Sequence, residues 1–155
     1  MAAFSYRQAE EIRDAFQRHQ ILYLFIGKSG AILLGYPDTT QDADLFVNKD
    51  RTNCERLLEA LGELGFELPD PLAEEIRRGK DFIQLKNGPF DLDLVFAPDG
   101  IERFEDAWQR HVEISEFPVC DIDDIISSKQ AANRAKDRES LPRLLKFRDW
   151  LKGKR

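Results

Sequence analysis

Residues 27–45 read GKSGAILLGYPDTTQDADL, in which a glycine turn and an apolar segment are followed by a D-x-D pair. An apolar run from Ile21 to Ile26 leads into the glycines, and an alternating run carries Asp42 and Asp44. Both runs predict β-strands, because short apolar or alternating segments bounded by turn residues are typical of strands. Successive side chains of a strand point to opposite faces, so Asp42 and Asp44 should share one face.

A second D-x-D pair, Asp91 and Asp93, lies in the later apolar run Phe90–Phe96. The same alternation places these two carboxylates on one strand face, so the two pairs can converge. Carboxylates that lie close together raise one another's pKa unless a cation relieves the repulsion. Mg²⁺ suits such a cluster because it prefers hard oxygen ligands and keeps waters and substrate phosphates in its shell. The sequence therefore predicts a phosphate site that depends on Mg²⁺ or Mn²⁺.

Three carboxylates are enough for two metal ions about 3.5–4 Å apart, which can clamp the attacking and leaving oxygens of an in-line displacement. We expect Asp42 and Asp44 to be metal ligands, with Asp44 bridging the ions. Asp93 is the expected third ligand, and Asp91 is the less favoured candidate. The third carboxylate can also act as the general base for an attacking hydroxyl. The predicted catalytic residues are therefore Asp42, Asp44 and Asp93.

From residue 21 to about residue 145 the chain resembles the nucleotidyltransferase superfamily of the DNA polymerase β type, in the small bacterial branch related to AbiEii toxins. That branch typically reads G-G-x-A-x-x-L-H-G-Y-x-R-T-T-x-D-h-D-h. The residues of this chain that fall on the pattern, with its spacing unbroken, are Gly27, Leu33, Gly35, Tyr36, Thr39, Thr40, Asp42 and Asp44. The run Asp93–Pro98 is similar to the family's strand with the third carboxylate. Lys129–Asp137 resembles the family's K-x-x-A-x-R-x-K-D helix end.

The resemblance implies an enzyme that moves an NMP from an NTP, such as ATP, to a hydroxyl-bearing acceptor and releases pyrophosphate. The acceptor can be RNA, a protein or a small molecule. In this chemistry catalysis comes from positioning and from neutralising phosphate charge. The resemblance also implies a set of nucleotide-binding residues, namely Gly27, Lys28, Ser29, Thr40, Lys129, Arg134 and Lys136.

Two positions depart from the family pattern. Lys28 stands where the family has a second glycine or serine, and Asp38 stands where a basic residue is usual. Lys28 either supplies a cation to the triphosphate or marks a site that has lost turnover. Asp38 adds negative charge beside the carboxylates, which should weaken nucleotide binding unless Lys129, Arg134 or Lys136 compensates.

The same motifs are compatible with other functions. A catalytically degenerate member would bind a nucleotide or a cognate partner protein, as in a toxin–antitoxin or phage-defence pair. A metal phosphoesterase would need no NTP. The Asp pairs can also be solvated strand faces in an acidic protein. A P-loop ending in Gly27-Lys28-Ser29 is disfavoured because position 22, where that motif needs glycine, is Leu.

Composition limits the class of protein. A chain of 155 residues with 42% hydrophobic residues predicts a single domain over residues 1–155. We expect about residues 1–100 to form the catalytic sheet with its helices and about residues 101–155 to be mostly helical.

A net charge of −6 disfavours nucleic-acid binding through general charge attraction. Two isolated cysteines and no long apolar run predict free thiols, no membrane segment and a cytoplasmic location.

The pattern of starts and stops predicts an α+β fold, with a mixed, largely antiparallel sheet flanked by helices and a helical C-terminus. Ser5 and Thr52 are predicted helix starts, Gly65 and Gly79 are predicted stops, and Ser140 is predicted to cap the last helix. The segments 81–86 and 90–96 should pair as a hairpin around an Asn-Gly turn.

Overall fold

The computed structural model describes residues 4–154. The elements in chain order are α1 (Tyr6–Arg18), β1 (Tyr23–Ile26), α2 (Gly27–Leu33), β2 (Ala43–Val47), α3 (Arg51–Leu64), α4 (Asp70–Arg78), β3 (Phe82–Leu85), β4 (Leu92–Val95), α5 (Phe104–Arg110), β5 (Val112–Ile114), β6 (Phe117–Val119), α6 (Ile122–Ala132) and α7 (Ala135–Gly153).

Within residues 4–154, six strands form one sheet in the order β3-β4-β2-β1-β6-β5. The pairs β1–β2, β3–β4 and β5–β6 are antiparallel, whereas β2–β4 and β1–β6 are parallel. The predicted α+β class is confirmed, with its mixed, largely antiparallel sheet, its flanking helices and its helical C-terminus.

The local signals explain several of the helix ends. Ser5 and Gln8 form the predicted capping box of α1. Gly65 and Gly79 adopt left-handed conformations directly after α3 and α4, as a helix C-cap requires. These four residues confirm the predicted bounds at those ends.

Two predicted helix starts were wrong. The side chain of Asp50, not that of Thr52, caps α3 by accepting a hydrogen bond from the Asn53 amide. Ser140 lies inside α7, which already begins at Ala135 because the Asp137 carboxylate accepts from the Arg134 backbone amide. In α3 and α7 the capping hydrogen bond is accepted by an aspartate, Asp50 or Asp137, that precedes the predicted capping residue, Thr52 or Ser140.

The 81–96 hairpin is confirmed, although its strands are joined by residues 86–91 and not by a tight two-residue turn. A second hairpin, β5–β6, was not predicted, and it lies between α5 and α6. Its turn residues Ser115 and Glu116 both have positive φ, which matches the right-handed twist of paired strands. Phe117 and Val119 are buried and bring β6 beside β1.

The two faces of the sheet differ. Tyr23 of β1 packs on Phe16 of α1, with ring centroids 4.8 Å apart, so α1 covers one face. On the other face Phe46 of β2 packs on Phe104 of α5 at 5.1 Å. Because Asp44 is two residues from Phe46, it lies on the same face as the α5 contact. The carboxylates therefore open on the side of the sheet opposite α1.

Cys54 and Cys120 are both buried and free, as predicted. Among residues 4–154, none of the helices combines the length and the apolar character that crossing a bilayer requires.

Candidate active site

The candidate site begins with a row of residues across the middle of the sheet. Asp44 of β2 lies opposite Asp93 of β4 in the parallel ladder. Asp44 also lies opposite Ile26 of β1, and Asp93 opposite Gln84 of β3. Residues directly opposite each other share a face, and neighbouring strands are about 4.8 Å apart. Sheet register therefore places the predicted carboxylates Asp44 and Asp93 side by side.

The electrostatics of this pair follow from that proximity. Burial raises the pKa of Asp44 well above its ordinary value, and the charge of Asp93 and a hydrogen bond with it raise it further. Burial also raises the pKa of Asp93, and the charge of Asp42 adds to that effect. Without a cation, the pair therefore tends to retain a proton.

A cleft of about 580 Å³ opens over this row. Most of the predicted site residues line it, namely Gly27, Lys28, Thr40, Asp42, Asp44, Asp93, Lys129, Arg134 and Lys136. The fold thus brings the glycine turn, the carboxylates and the basic residues Lys129, Arg134 and Lys136 together, although Gly27 and Lys136 are about 110 residues apart in sequence.

The carboxylates of the cleft fit a divalent cation that takes its remaining coordinating oxygens from substrate and water. Among residues 4–154, no three His, Cys, Asp or Glu side chains are gathered tightly enough to hold a metal ion by themselves. Mg²⁺ does not need such a cage, since it is usually bound by one or two carboxylates together with phosphates and waters. Asp44 and Asp93 supply that pair, and the charge of Asp42 reaches both.

Gly27 has a specific steric role at the end of β1. Its φ is +64°, in the left-handed region that favours glycine. A Cβ at this position would lie 2.4 Å from the Asp44 Oδ2 atom. The turn can therefore pass over the carboxylate only when residue 27 has no side chain.

Ser29 lies beneath the cleft and not in its lining. It is fully buried, its hydroxyl donates to the Ile26 carbonyl at 3.0 Å, and it accepts from the Asp44 amide at 2.9 Å. Because its proton is already donated within the protein, the hydroxyl is not presented to a phosphate as the resemblance implied. Ser29 instead ties α2 to β2 at the position of Asp44.

Asp91 is also outside the cleft lining. It is buried just before β4, and its carbonyl accepts a hydrogen bond from the Ala43 amide at 3.2 Å. The geometry therefore agrees with the preference for Asp93 over Asp91 as the third carboxylate of the site.

Lys129 and Arg134, which form the basic wall of the cleft, both contact Asp137. Asp137 was not predicted as a site residue. Asp137 is only 1% exposed, and its carboxylate lies 2.7 Å from the Arg134 Nε atom and 3.5 Å from the Lys129 Nζ atom. The charge of Lys129 in turn lowers the pKa of Asp44. The buried Asp137 carboxylate thus holds Lys129 and Arg134 near Asp44 and Asp93. The acidic end of the Lys129–Asp137 motif was the signal in the sequence.

The two departures from the family pattern contact each other. The Lys28 Nζ atom lies 3.3 Å from the Asp38 Oδ2 atom, and Arg143 of α7 approaches the same oxygen at 3.8 Å. Arg143 also donates to the Pro37 carbonyl at 3.2 Å. The charge of Asp38 is therefore balanced by Lys28 and Arg143. Lys28 and Asp38 therefore form one ion pair beside the glycine turn.

A solved structure has the same overall arrangement. The chain is similar to the lincosamide antibiotic adenylyltransferase LnuA in its lincomycin-bound crystal structure, with a TM-score of 0.62 and 12% sequence identity. The match covers 92% of this chain and 98% of that chain. This chain shares the fold of that adenylyltransferase. No family model matches the chain, and no curated protein sequence is similar enough to match it.

The Lys28–Asp38 pair yields a prediction. We expect Asp38→Asn to tighten the binding of MgATP about fivefold, because Lys28 is then free for phosphate and an anion has left the cleft mouth. Isothermal titration measures the change. Asp14→Asn is the matched control, since Asp14 is also ion-paired, to Arg13 at 2.9 Å, but lies on α1. Weaker binding by Asp38→Asn would show that Asp38 positions Lys28 and does not compete for it.

Proposed function

We propose that this protein is a metal-dependent nucleotidyltransferase, which moves an NMP from an NTP to the hydroxyl of an acceptor and releases pyrophosphate. The observation that carries the proposal is the cleft itself. Two adjacent carboxylates on β2 and β4 face two cations that a buried Asp137 holds, Lys129 of α6 and Arg134 just before α7. This arrangement is suited to a metal–triphosphate complex, in which charge of both signs must be matched.

Each residue has a role in the proposed reaction. Asp42, Asp44 and Asp93 would hold Mg²⁺ or Mn²⁺, which supplies neutralisation of the charge on the reacting phosphate. Asp93 accepts the proton of the attacking hydroxyl. The backbone at Gly27 and the side chains of Lys28 and Thr40 face the triphosphate, and Lys129, Arg134 and Lys136 neutralise its charge.

An intact site is favoured over a degenerate one by the compensation described above. Lys28 and Asp38 would be unrelated losses in a decaying site. Here they pair with each other at 3.3 Å, and the cations of α6 and α7 remain available to the carboxylates. This pairing supports retained nucleotide chemistry.

The finer assignments are also proposals. The T-T-x-D-x-D pattern supports the branch related to AbiEii toxins and, as in toxin–antitoxin or phage-defence pairs, a cognate partner protein. The two isolated cysteines and the lack of a long apolar run support a cytoplasmic location. The similar structure is that of an adenylyltransferase with lincomycin bound, which supports ATP as the donor and a small molecule as the acceptor.

Calorimetric titration of the four NTPs, with and without Mg²⁺ or Mn²⁺, tests the proposal. We expect at least one NTP to bind only when the metal is present, because the carboxylates otherwise repel the triphosphate. Transfer of label from the α-phosphate, and not the γ-phosphate, then separates nucleotidyl transfer from phosphoester hydrolysis. A folded protein that binds no NTP under any of these conditions would favour the degenerate, partner-binding function.

A further inference from the structure

Arg143 of α7 lies outside the cleft lining and has no role in the nucleotide site proposed above. Its guanidinium contacts three consecutive residues of the loop between α2 and β2. The Cζ atom lies 5.4 Å from the centroid of the Tyr36 ring, the Nη2 atom donates to the Pro37 carbonyl at 3.2 Å, and the Nη1 atom lies 3.8 Å from the Asp38 Oδ2 atom. A planar guanidinium has five N–H donors in a fixed fork, so one side chain can make these contacts together.

The contact of Arg143 with this loop does not depend on Asp38 alone. Tyr36 is only 3% exposed and packs edge-on against Phe147, with ring centroids 5.5 Å apart. Phe147 lies four residues after Arg143 on α7, so the two side chains are neighbours on one face of that helix. Tyr36 is therefore held by both of them. The position of Arg143 beside Asp38 is fixed by contacts that do not involve Lys28.

Lys28 is held less firmly than Arg143. Within residues 4–154 its side chain makes one ion pair, with Asp38 at 3.3 Å. Lys28 lines the cleft, whereas Asp38 and Arg143 do not. A lysine ammonium is a compact charge on a flexible four-carbon chain. Lys28 can therefore move from Asp38 to a phosphate oxygen in the cleft while Arg143 stays where it is.

The charge of Asp38 decides whether such a move is favourable. A hydrogen bond from the Thr39 amide lowers the pKa of Asp38, and Lys28 and Arg143 lower it further, so this side chain is an anion at neutral pH. Without a second cation, the departure of Lys28 would leave that anion unbalanced near a triphosphate, which it would repel. Arg143 is the cation that remains.

We infer that Arg143 is a positioning residue of the nucleotide site, which holds Asp38 when Lys28 transfers from that carboxylate to the triphosphate. This inference rests on the proposed nucleotidyl transfer. In the free protein, Asp38 keeps Lys28 beside the glycine turn. In the nucleotide complex, Lys28 pairs with a phosphate oxygen and Arg143 alone balances Asp38. No covalent bond changes, and one ion pair replaces another. The affinity for NTP then depends on a residue that does not face the nucleotide.

A double-mutant cycle tests the inference without requiring turnover. Mg²⁺ and a non-hydrolysable ATP analogue are titrated into the wild type, Arg143→Gln, Asp38→Asn and the double variant. We expect Arg143→Gln to weaken binding about threefold, because Asp38 then retains Lys28. The double variant should bind as tightly as Asp38→Asn alone, since Arg143 acts only through Asp38. An equal loss on removing Arg143 in both backgrounds would show a direct phosphate contact or a purely structural role, and would overturn the inference.

Arg148→Gln is the matched control for Arg143→Gln. Arg148 is also an arginine of α7 that lies 3.8 Å from an aspartate of another element, namely Asp123 of α6. Its replacement removes the same charge from the same helix but leaves Asp38 untouched, so nucleotide affinity should not change. A loss as large as that of Arg143→Gln would reflect the overall charge of α7 and would contradict the specific role of Arg143.

The transfer of Lys28 has its own spectroscopic readout. Lysine amino groups are dimethylated with ¹³C-formaldehyde, and the NMR signal of Lys28 is assigned with Lys28→Arg. We expect this signal to move when the Mg²⁺–ATP analogue complex binds to the wild type. It should also move in the free protein on Asp38→Asn, because both changes separate Lys28 from the Asp38 carboxylate. A Lys28 signal that stays in place at nucleotide saturation would show that Lys28 remains with Asp38, and would overturn the inference.

The two proposals fail in different ways. Metal-dependent NTP binding with an equal effect of Arg143→Gln in both backgrounds overturns the role of Arg143 and leaves the nucleotidyltransferase standing. A folded wild type that binds no NTP in the presence of Mg²⁺ or Mn²⁺ overturns both.

Discussion

Asp44→Asn is expected to lower the metal-dependent affinity for MgATP by about 100-fold, or about 2.7 kcal/mol, and to abolish transfer. The amide keeps the size of the side chain but cannot supply an anionic oxygen to the cation. Asp44 lies opposite Asp93 and beneath Gly27, so its carboxylate stands at the centre of the proposed metal site. Titration of MgATP into the wild type and the variant measures the loss.

The fold should survive this substitution. The pKa of Asp44 is raised in the folded protein, so the stability it contributes is present below its unfolded pKa of about 4 and is lost as pH rises through the raised value. At pH 7 without metal, the Asn variant should therefore unfold at the same temperature as the wild type or at a higher one.

Asp91→Asn separates the two candidates for the third carboxylate. Asp91 is an aspartate of the same D-x-D pair but lies outside the cleft lining, so its substitution should leave nucleotide affinity unchanged. If Asp91→Asn abolishes metal-dependent binding and Asp93→Asn does not, the assignment of Asp93 is wrong.

Asp137→Asn is expected to lower the free energy of unfolding by about 2 to 3 kcal/mol at pH 7. The substitution leaves Lys129, whose side chain is 13% exposed, without its counter-charge. The loss should be smaller than for a fully buried pair because Arg134 is 59% exposed and is solvated by water. Urea denaturation of both proteins measures the difference. Nucleotide affinity should fall as well, since both cations lose their positioning contact.

The loss has a characteristic pH dependence. Burial tends to raise the pKa of Asp137, but hydrogen bonds from Arg134 and the charge of Lys129 overcome it and lower the pKa. The stability from Asp137 is therefore present above its unfolded pKa of about 4 and is lost as pH falls through the lower folded value. The difference between wild type and variant should shrink below about pH 4.

Asp123→Asn is the matched control for Asp137→Asn. Asp123 also lies in the α6–α7 pair and contacts two cations of α7, Arg148 and Lys152, but its side chain is 44% exposed. Its replacement should cost less than about 1 kcal/mol. An equal decrease in the free energy of unfolding for the two variants would show that burial does not strengthen the contribution of Asp137 to stability.

Elements with strong local signals were predictable from sequence. The capping box at Ser5 and the glycine stops at Gly65 and Gly79 depend on a few neighbouring residues, and all are confirmed. The β5–β6 hairpin was missed because its strands have three residues each, which is too short for a periodic pattern to stand out. Its pairing with β1 depends on contacts about 90 residues away in sequence.

The local pattern around residues 27–45 and 91–93 predicted a glycine turn and two strands that carry carboxylates, because strand alternation and glycine conformation are properties of neighbouring residues. Only the tertiary structure decided which residues meet. Parallel pairing of β2 with β4 placed Asp93, and not Asp91, beside Asp44. The packing of α6 and α7 placed Asp137 against Lys129 and Arg134, and the approach of α7 brought Arg143 to the Lys28–Asp38 pair. Charges interact through distance in space, which the spacing of residues along a chain does not specify.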